Sequence, residues 1–196
     1  MLRLNCFLLL VFFFLNIIST SHCLAQQKYE REYSIKSSAV PVQALEFVNT
    51  VFKGAKIHWY GEESLKGTTI EAKLKSSGKR YSIEFDKSGK IQDVEIMSSF
   101  KAIPSKTRNV MEGNLDKEFK KYKVDKTQIQ WTASESALKK ALSSDKTPAS
   151  VSIRYEVVVK AVKNKLSNYY EVLFESDGAI VSIHEIVQRN ANNLIY

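Results

Sequence analysis

The chain has 196 residues, of which 44% are hydrophobic and 26% are charged, which excludes a largely disordered protein and allows a packed interior. Its formal net charge of +8 favours anionic surfaces or acidic partners, although the lysines are scattered among acids, as on an ordinary solvated surface. This length allows one domain, or two small units that share a core.

Residues 1–25 have the pattern of a secretory signal peptide. A short basic start at Arg3 precedes an apolar run over 7–18, and Cys23 and Ala25 form a small-x-small cleavage site. The apolar run is shorter than the roughly 20 residues of a membrane-spanning helix. We therefore expect cleavage after Ala25, a periplasmic or secreted protein, and no transmembrane segment in the mature chain. Two alternatives are lipidation of Cys23 and an uncleaved anchor.

Cleavage would remove both cysteines, Cys6 and Cys23. The mature chain would then have no disulfide, no thiolate nucleophile and no cysteine-based metal site, so packing alone must hold the fold together. The two remaining histidines, His58 and His184, have no Asp or Glu at metal-ligand spacing around both, whereas a zinc site takes three or four ligands. We expect no metal and no other cofactor.

The mature chain opens with a polar segment and then a helix. Residues 26–38 show a short alternation, which indicates a leader or an added edge strand. Pro41 begins a helix whose apolar residues recur at helical spacing as far as Phe52. Four strands follow, with a turn at 61–67 between the first two. Together these elements form a predicted first α-β4 unit over 39–99.

The same order of elements then begins again. Ile103 and Pro104 open a second helix, and residues 100–189 form a predicted second α-β4 unit. This unit carries an additional helical segment near 134–142. A polar tail follows over 190–196.

Two similar hairpins carry the evidence for a duplication. The first begins at Tyr81 and reads YSIEFDKSGKI, and the second begins at Tyr170 and reads YEVLFESDGAI. Each turn has a glycine, Gly89 or Gly178, that is suited to a positive φ. We therefore predict an α+β fold, a tandem duplication of an α-β4 unit with two helices packed on one face of an antiparallel sheet of about eight strands.

The proline helix starts, the Ile-x-Trp strands at Trp59 and Trp131, and the paired hairpins resemble the PepSY-like family of exported bacterial proteins, which has a β-lactamase-inhibitor-like fold. The resemblance covers about residues 37–187. It implies a tandem α-β4 duplication and a periplasmic or exported location. It implies no catalytic residues, because the role of the family is largely unassigned.

No stretch of the sequence has a recognisable catalytic motif. It contains neither a Gly-rich phosphate loop nor a G-x-S-x-G elbow, so we predict no catalytic residues. Glu62 and Glu63 are a candidate acid pair, but we interpret them as part of a solvated turn because nothing apolar surrounds them. Trp59 and Trp131 are candidates for stacking on a ligand, but each shares a face with an isoleucine, so we predict that they lie in the core.

The sheet face opposite the helices is the candidate binding surface. It mixes charged residues with aromatic and apolar ones, a composition that suits protein binding. Cross-strand packing that stabilises the sheet would also explain it. The candidate binding residues are His58, Tyr60, Lys73, Arg80, Arg154, Val158, Tyr169 and Leu173.

These observations predict an exported, non-enzymatic and monomeric binding module that engages a protein or a peptide through this open face. The alternative is a binder of a small ligand or of an anionic envelope polymer through the basic surface. An enzyme is less favoured because no acid–base or nucleophile constellation is visible. We do not expect an exported protein to bind nucleic acid.

Overall fold

The computed structural model describes residues 26–65, 67–144 and 149–187. The predicted signal peptide, both cysteines and the predicted tail lie outside these residues. In this part of the chain, the strands are β1 Gln26–Lys28, β2 Glu30–Ser34, β3 Ile57–Ser64, β4 Gly67–Ser76, β5 Lys79–Phe85, β6 Ile91–Ser98, β7 Lys121–Thr132, β8 Ser152–Lys163, β9 Leu166–Glu175 and β10 Ile180–Ile186. The helices are α1 Val42–Val51, α2 Ser105–Glu118 and α3 Glu135–Leu142, with two 3₁₀ helices at Ser37–Ala39 and Phe100–Ala102.

All ten strands belong to one sheet, in the order β1-β10-β9-β8-β7-β6-β5-β4-β3-β2. Neighbouring strands are antiparallel, except that β1 runs parallel to β10. The two edge strands, β1 and β2, are consecutive in the chain and are separated only by Tyr29. Since one short segment pairs with both edges, the sheet nearly closes into a cylinder.

The predicted fold, two α-β4 units with two helices on an eight-stranded antiparallel sheet, is therefore wrong. The described residues form a mixed ten-stranded sheet with three α-helices. The additional strands come from the N-terminal segment, where Gln27 pairs with Glu185 and Tyr33 pairs with Gly61. This pairing satisfies the backbone groups of both sheet edges, and side-chain alternation carries no information about which edge a segment meets.

The helices cover the outer face of the sheet and build two apolar clusters. Phe47 of α1 packs edge-on against Phe85 of β5, with the ring centroids 5.9 Å apart. Met111 and Leu115 of α2 are fully buried in the second cluster. Leu138 of α3 joins the first cluster. Burial of side chains of this size contributes roughly 1.5–3 kcal/mol each.

On β5, period-two alternation correctly predicted which residues face the core. Ile83 and Phe85 are fully buried on β5. Trp59 is buried as well and its ring centroid lies 6.1 Å from that of Phe85, so the prediction that it is a core residue is confirmed. Trp131 is half-buried and packs against the same cluster.

Gly89 and Gly178 hold two hairpin turns against the first turns of α1 and α2. Both have a positive φ, +88° and +95°. A Cβ on Gly89 would lie 2.8 Å from the Cβ of Pro41, and one on Gly178 would lie 2.8 Å from the carbonyl oxygen of Thr107. Glycine is thus required both by the backbone conformation and by the close approach of a helix.

Candidate binding cleft

The inner face of the curled sheet lines a cleft of about 1210 Å³. All ten strands contribute to its lining. Because successive side chains of a strand point to opposite faces, the residues that do not pack under the helices point into the cleft. On β5, for example, Ile83 is in the core whereas Ser82 and Glu84 line the cleft. The face predicted as open is therefore the concave inside of the sheet.

The cleft is acidic, although the whole chain is basic. Nine Asp and Glu residues line it against five Lys and Arg residues, whereas the chain has 21 acidic and 29 basic residues in all. Carboxylates gathered in a confined space favour either protonation or a cationic partner. The nine acidic residues are Glu30, Glu62, Glu71, Glu84, Asp86, Asp93, Glu95, Glu156 and Glu171.

Lys28 places one ammonium group between two of these carboxylates. Its Nζ lies 2.6 Å from Glu171 Oε2 and 2.9 Å from Glu30 Oε1. Burial alone would lower the pKa of Lys28, but Glu171, Glu156 and Glu30 together raise it well above its ordinary value. The amine is a fixed cation that ties β1 to β2 and β9.

Lys73 places a second ammonium group between another two carboxylates. Its Nζ pairs with Glu32 and lies 3.1 Å from Glu71 Oε2. It also lies 5.0 Å from the ring centroid of Tyr60. Burial alone would lower the pKa of Lys73, but Glu71 and Glu32 raise it. This predicted binding residue is buried and has intramolecular partners.

Several cleft carboxyl groups hold their protons to unusually high pH. Burial, reinforced by neighbouring carboxylates, raises the pKa of Glu62 and of Asp93 to about 8 and that of Glu171 to about 7. The strongest neighbouring charge comes from Glu30 for Glu62 and from Glu84 for Asp93. The charge of the cleft therefore changes around neutral pH.

One part of the cleft combines three carboxyl groups with two amides. We call it the carboxylate–amide cluster, formed by Asp93 and Glu95 on β6, Gln128 and Gln130 on β7, and Glu156 on β8. Gln128 Nε2 donates to Glu95 Oε2 at 2.6 Å, and Gln130 Nε2 donates to Asp93 Oδ2 at 3.1 Å. Glu156 lies directly opposite Gln128 on the neighbouring strand. In the described chain, no lysine or arginine forms an ion pair with these carboxylates.

Two buried acceptors of this cluster have no hydrogen-bond partner among the described residues, namely Gln128 Oε1 and Asp93 Oδ1. The Gln128 residue is only 4% exposed. Glu95 Oε2 accepts the amide N–H of Gln128, which leaves the amide oxygen of Gln128 to face another donor. An unpartnered buried polar group costs about 1–3 kcal/mol. Both atoms therefore favour a donor inside the cleft.

Four of the eight predicted binding residues line the cleft: Lys73, Arg80, Val158 and Leu173. Val158 is 6% exposed and belongs to the packed floor of the sheet. Arg80 is exposed and also borders a smaller groove beside Phe100. The structure thus brings these four to one concave surface.

The other four predicted residues, His58, Tyr60, Arg154 and Tyr169, do not line the cleft. Tyr60 is buried at 4% exposure, whereas His58 is exposed. Arg154 donates two hydrogen bonds to Glu175 Oε1, at 3.1 and 2.7 Å. All four side chains lie on the same face of the sheet as the cleft, but outside its lining.

Glu62 is one acid whose environment the sequence pattern did not reveal. The prediction that it lies in a solvated turn is wrong, because β3 continues to Ser64. β2 pairs with this extension, with Tyr33 opposite Gly61, and the pairing places Glu62 in the cleft. The sequence signal for β2 was the short alternation within residues 26–38.

Asp93 and Glu95 were missing from the predicted face because the alternation of β6 is interrupted. A bulge puts Phe85 opposite Ile91 but Glu84 opposite Asp93. Once the bulge is placed, the two acids fall on the cleft side of the strand, with Glu95 opposite Gln130 of β7. The sequence signal for this cleft-facing pair was the presence of acids at alternate positions, 93 and 95, after the bulge.

In the described ranges, no three His, Cys, Asp or Glu side chains converge so as to hold a metal ion. None of the described helices is long and apolar enough to span a membrane.

Solved structures similar to this chain include proteins from three species of Bacteroides. A DUF2874 family protein from Bacteroides ovatus is 9% identical with a TM-score of 0.52, over 80% of this chain and 96% of that one. A candidate periplasmic protein from Bacteroides eggerthii is 14% identical with a TM-score of 0.51, over 79% and 94%. A BLIP-like protein from Bacteroides fragilis is 16% identical with a TM-score of 0.49, over 77% and 90%. At identities this low, the structures from Bacteroides ovatus and Bacteroides eggerthii show the fold alone.

No protein-family model matches the chain, and no curated protein matches it significantly. The solved structures support part of the resemblance that the sequence indicated, namely a fold shared with DUF2874 and periplasmic proteins of Bacteroides. They do not show the PepSY-like family specifically.

Proposed function

We propose that the protein is an exported, non-enzymatic binding protein that holds a peptide segment in its cleft. The observation that carries this proposal is the cleft of about 1210 Å³ along the inner face of all ten strands. Pockets for drug-sized ligands measure about 300–1,000 Å³, so this cleft has room for several residues of an extended chain.

The exported location is supported by two observations. Residues 1–25 have the pattern of a signal peptide. A candidate periplasmic protein from Bacteroides eggerthii has the same fold. Membership of the PepSY-like family is part of this proposal and is supported by the sequence motifs around Trp59, Trp131 and the two hairpins.

The shape of the site favours a peptide segment over the surface of a folded protein. Val158, which was expected to be exposed for protein docking, lines the cleft and is only 6% exposed, and Tyr60, which lies outside the cleft, is only 4% exposed. A folded partner has little access to the floor of a concave sheet, whereas an extended chain can enter a groove. The ligand we propose is therefore an unfolded segment or a loop.

The test is an NMR titration with peptides from a digest of envelope proteins. Leu173→Trp would place a bulky ring on the cleft surface and obstruct an extended ligand there, whereas Val181→Trp adds the same ring at a position that is 42% exposed and does not line the cleft. We expect amide shifts on cleft-lining strands in the wild type and in Val181→Trp, and their loss in Leu173→Trp. Identical shifts in all three proteins would contradict the proposal.

An acid–base enzyme is the second candidate. It is favoured by the raised pKa values of Glu62 and Asp93, about 8, because a carboxyl group that titrates near neutral pH can act as a general acid. Mass spectrometry of the titrated peptides separates the two functions. Intact peptides support binding, whereas cleavage that disappears in Asp93→Asn would support the enzyme.

A further inference from the structure

We infer that the carboxylate–amide cluster binds an ammonium or guanidinium group of the ligand, so that the peptide held in the cleft is a basic one. This inference rests on the proposed function, because it names the chemistry of the ligand in the same cleft.

The protein's own lysines show how such a group is held. Lys28 Nζ lies between Glu30 and Glu171, at 2.9 and 2.6 Å. Lys73 Nζ lies in the same way between Glu32 and Glu71. Two ammonium groups thus already bridge pairs of carboxylates along this sheet face.

The carboxylate–amide cluster offers the same kind of setting without an amine. It has three carboxyl groups, Asp93, Glu95 and Glu156, and no ion pair reaches them from the described residues. Lys126 also lines the cleft, and its charge acts on Glu95, but it stays beyond ion-pair distance. Glu71 and Glu84 add further negative charge from β4 and β5. A cation placed in this cluster would therefore favour the ionisation of its carboxyl groups and pair with them.

A separate observation indicates a hydrogen-bond donor at this place. Gln128 is 4% exposed, lines the cleft and has no partner for Oε1 among the described residues. Asp93 Oδ1 is buried without a partner there as well. An ammonium group has three N–H donors and a guanidinium group has five, so either could serve both acceptors and the carboxylates together.

The same geometry disfavours other ligands. A metal ion needs several ligands that converge on one point, and no such group of side chains occurs within the described residues. An anion would find only carboxyl groups at Asp93, Glu95 and Glu156, and it would oppose their ionisation. A neutral donor would satisfy Gln128 Oε1 but would not offset the crowded carboxylates.

The experiment is calorimetric titration of the full mature chain with tetra-arginine, whose guanidinium groups stay charged at every pH used. Tetracitrulline, which is nearly isosteric and uncharged, is the ligand control, and spermine represents a free amine. The test variant is Glu95→Gln/Glu156→Gln. Glu63→Gln is the control variant, because it removes the same kind of charge from a residue that does not line the cleft.

We expect one tetra-arginine site in the wild type and in Glu63→Gln, and a dissociation constant at least about tenfold weaker in the double variant. Tetracitrulline should not bind. Glutamine matches glutamate in size and removes like charges, so the double variant should fold, and its thermal unfolding midpoint checks this. Spermine binding that equals tetra-arginine binding and depends on Glu95 and Glu156 would support the site and assign the cation to a free amine.

Equal affinity of the wild type and the double variant for tetra-arginine would overturn the inference. Binding of tetracitrulline as tight as that of tetra-arginine, or no tetra-arginine binding by the wild type, would also overturn it. The proposed function fails by a different result, namely amide shifts on peptide addition that are identical in the wild type, Leu173→Trp and Val181→Trp. The two failures are therefore distinguishable.

Discussion

Glu62 and Glu63 are neighbours of the same type, yet they lie in opposite environments. Glu62 points into the cleft, where burial and the charges of other carboxylates raise its pKa to about 8. Glu63 is half exposed on the other face, and its Oε2 lies 3.2 Å from Arg31 Nη2. The alternation of β3 separates the two side chains, and the pairing of β2 with β3 places the half-buried Glu62 inside the cleft.

This difference predicts how stability depends on pH. Because the folded pKa of Glu62 lies above the unfolded value of about 4.3, the native state holds the proton more tightly. Its contribution to stability is complete below about pH 4 and is lost as the pH rises through about 8. We expect the free energy of unfolding of the wild type to fall between pH 5 and 8, by up to about 1.4 kcal/mol per pH unit for each such group.

Urea unfolding of Glu62→Gln at pH 5, 6.5 and 8 checks this prediction. The variant has no proton to lose, so its stability should decline less steeply with pH than that of the wild type. Glu63→Gln is the matched control and should keep the wild-type slope. If Glu62→Gln and the wild type decline equally, Glu62 does not titrate abnormally.

At the scale of single elements, the hairpin turns position the helices on the sheet. A hydrogen bond also joins Gly178 to α2. Asn114 Nδ2 donates to the carbonyl oxygen of Gly178 at 3.0 Å. On the other hairpin, Asp86 Oδ1 accepts hydrogen bonds from the backbone N–H groups of Ser88 and Lys90, which fixes the turn that carries Gly89. Hydrogen bonds therefore hold both turns in place.

Alanine at either turn should destabilise the protein more than alanine at a turn with open space. Gly54 has a φ of +75° and no atom lies within 4 Å of the place that a Cβ would take, so Gly54→Ala should cost only the left-handed strain, about 1–2 kcal/mol. Gly89→Ala and Gly178→Ala should cost about 1–3 kcal/mol more, because the new Cβ meets a helix. Denaturant unfolding midpoints measure the difference. Equal losses of stability on substitution of all three glycines would show that the close contacts with the helices add nothing to the cost.

At the scale of the whole molecule, the segment from β1 to β2 decides the shape. β1 pairs with β10, and β2 pairs with β3, so nine residues join the two edges of a ten-stranded sheet. The backbone N–H of Val187 donates to the carbonyl oxygen of Lys28 at 3.3 Å, which extends the β1–β10 pairing. The Lys28 ammonium group adds the ion pair with Glu171.

Removal of β1, residues 26–28, should open one edge of the sheet. We expect faster hydrogen exchange of the β10 amides and little change in β3, because β2 remains paired with it. Lys28→Met is the control that keeps the backbone of β1 and removes only the amine. The β10 amides of this variant should exchange more slowly than those of the deletion variant. Unchanged exchange in β10 after the deletion would show that β1 does not close the sheet.

The local features of this protein could be predicted from its sequence. Pro41 and Pro104 directly precede the two helices that were predicted to begin there. Alternation correctly assigned Ile83 and Phe85 to the core, because a period of two residues follows from the geometry of a single strand.

The enclosure of the other strand face, in contrast, is a property of the tertiary structure. Closure depends on the backbone pairing of β1 and β2 with opposite edges and on the twist of the whole sheet, and side-chain periodicity specifies neither. The bulge before Asp93 then determines which acids enter the cleft. Residues that resembled a solvated surface in the sequence, such as Glu62, thereby become half-buried and crowded with other carboxyl groups, and this is why their environment could not be predicted from sequence alone.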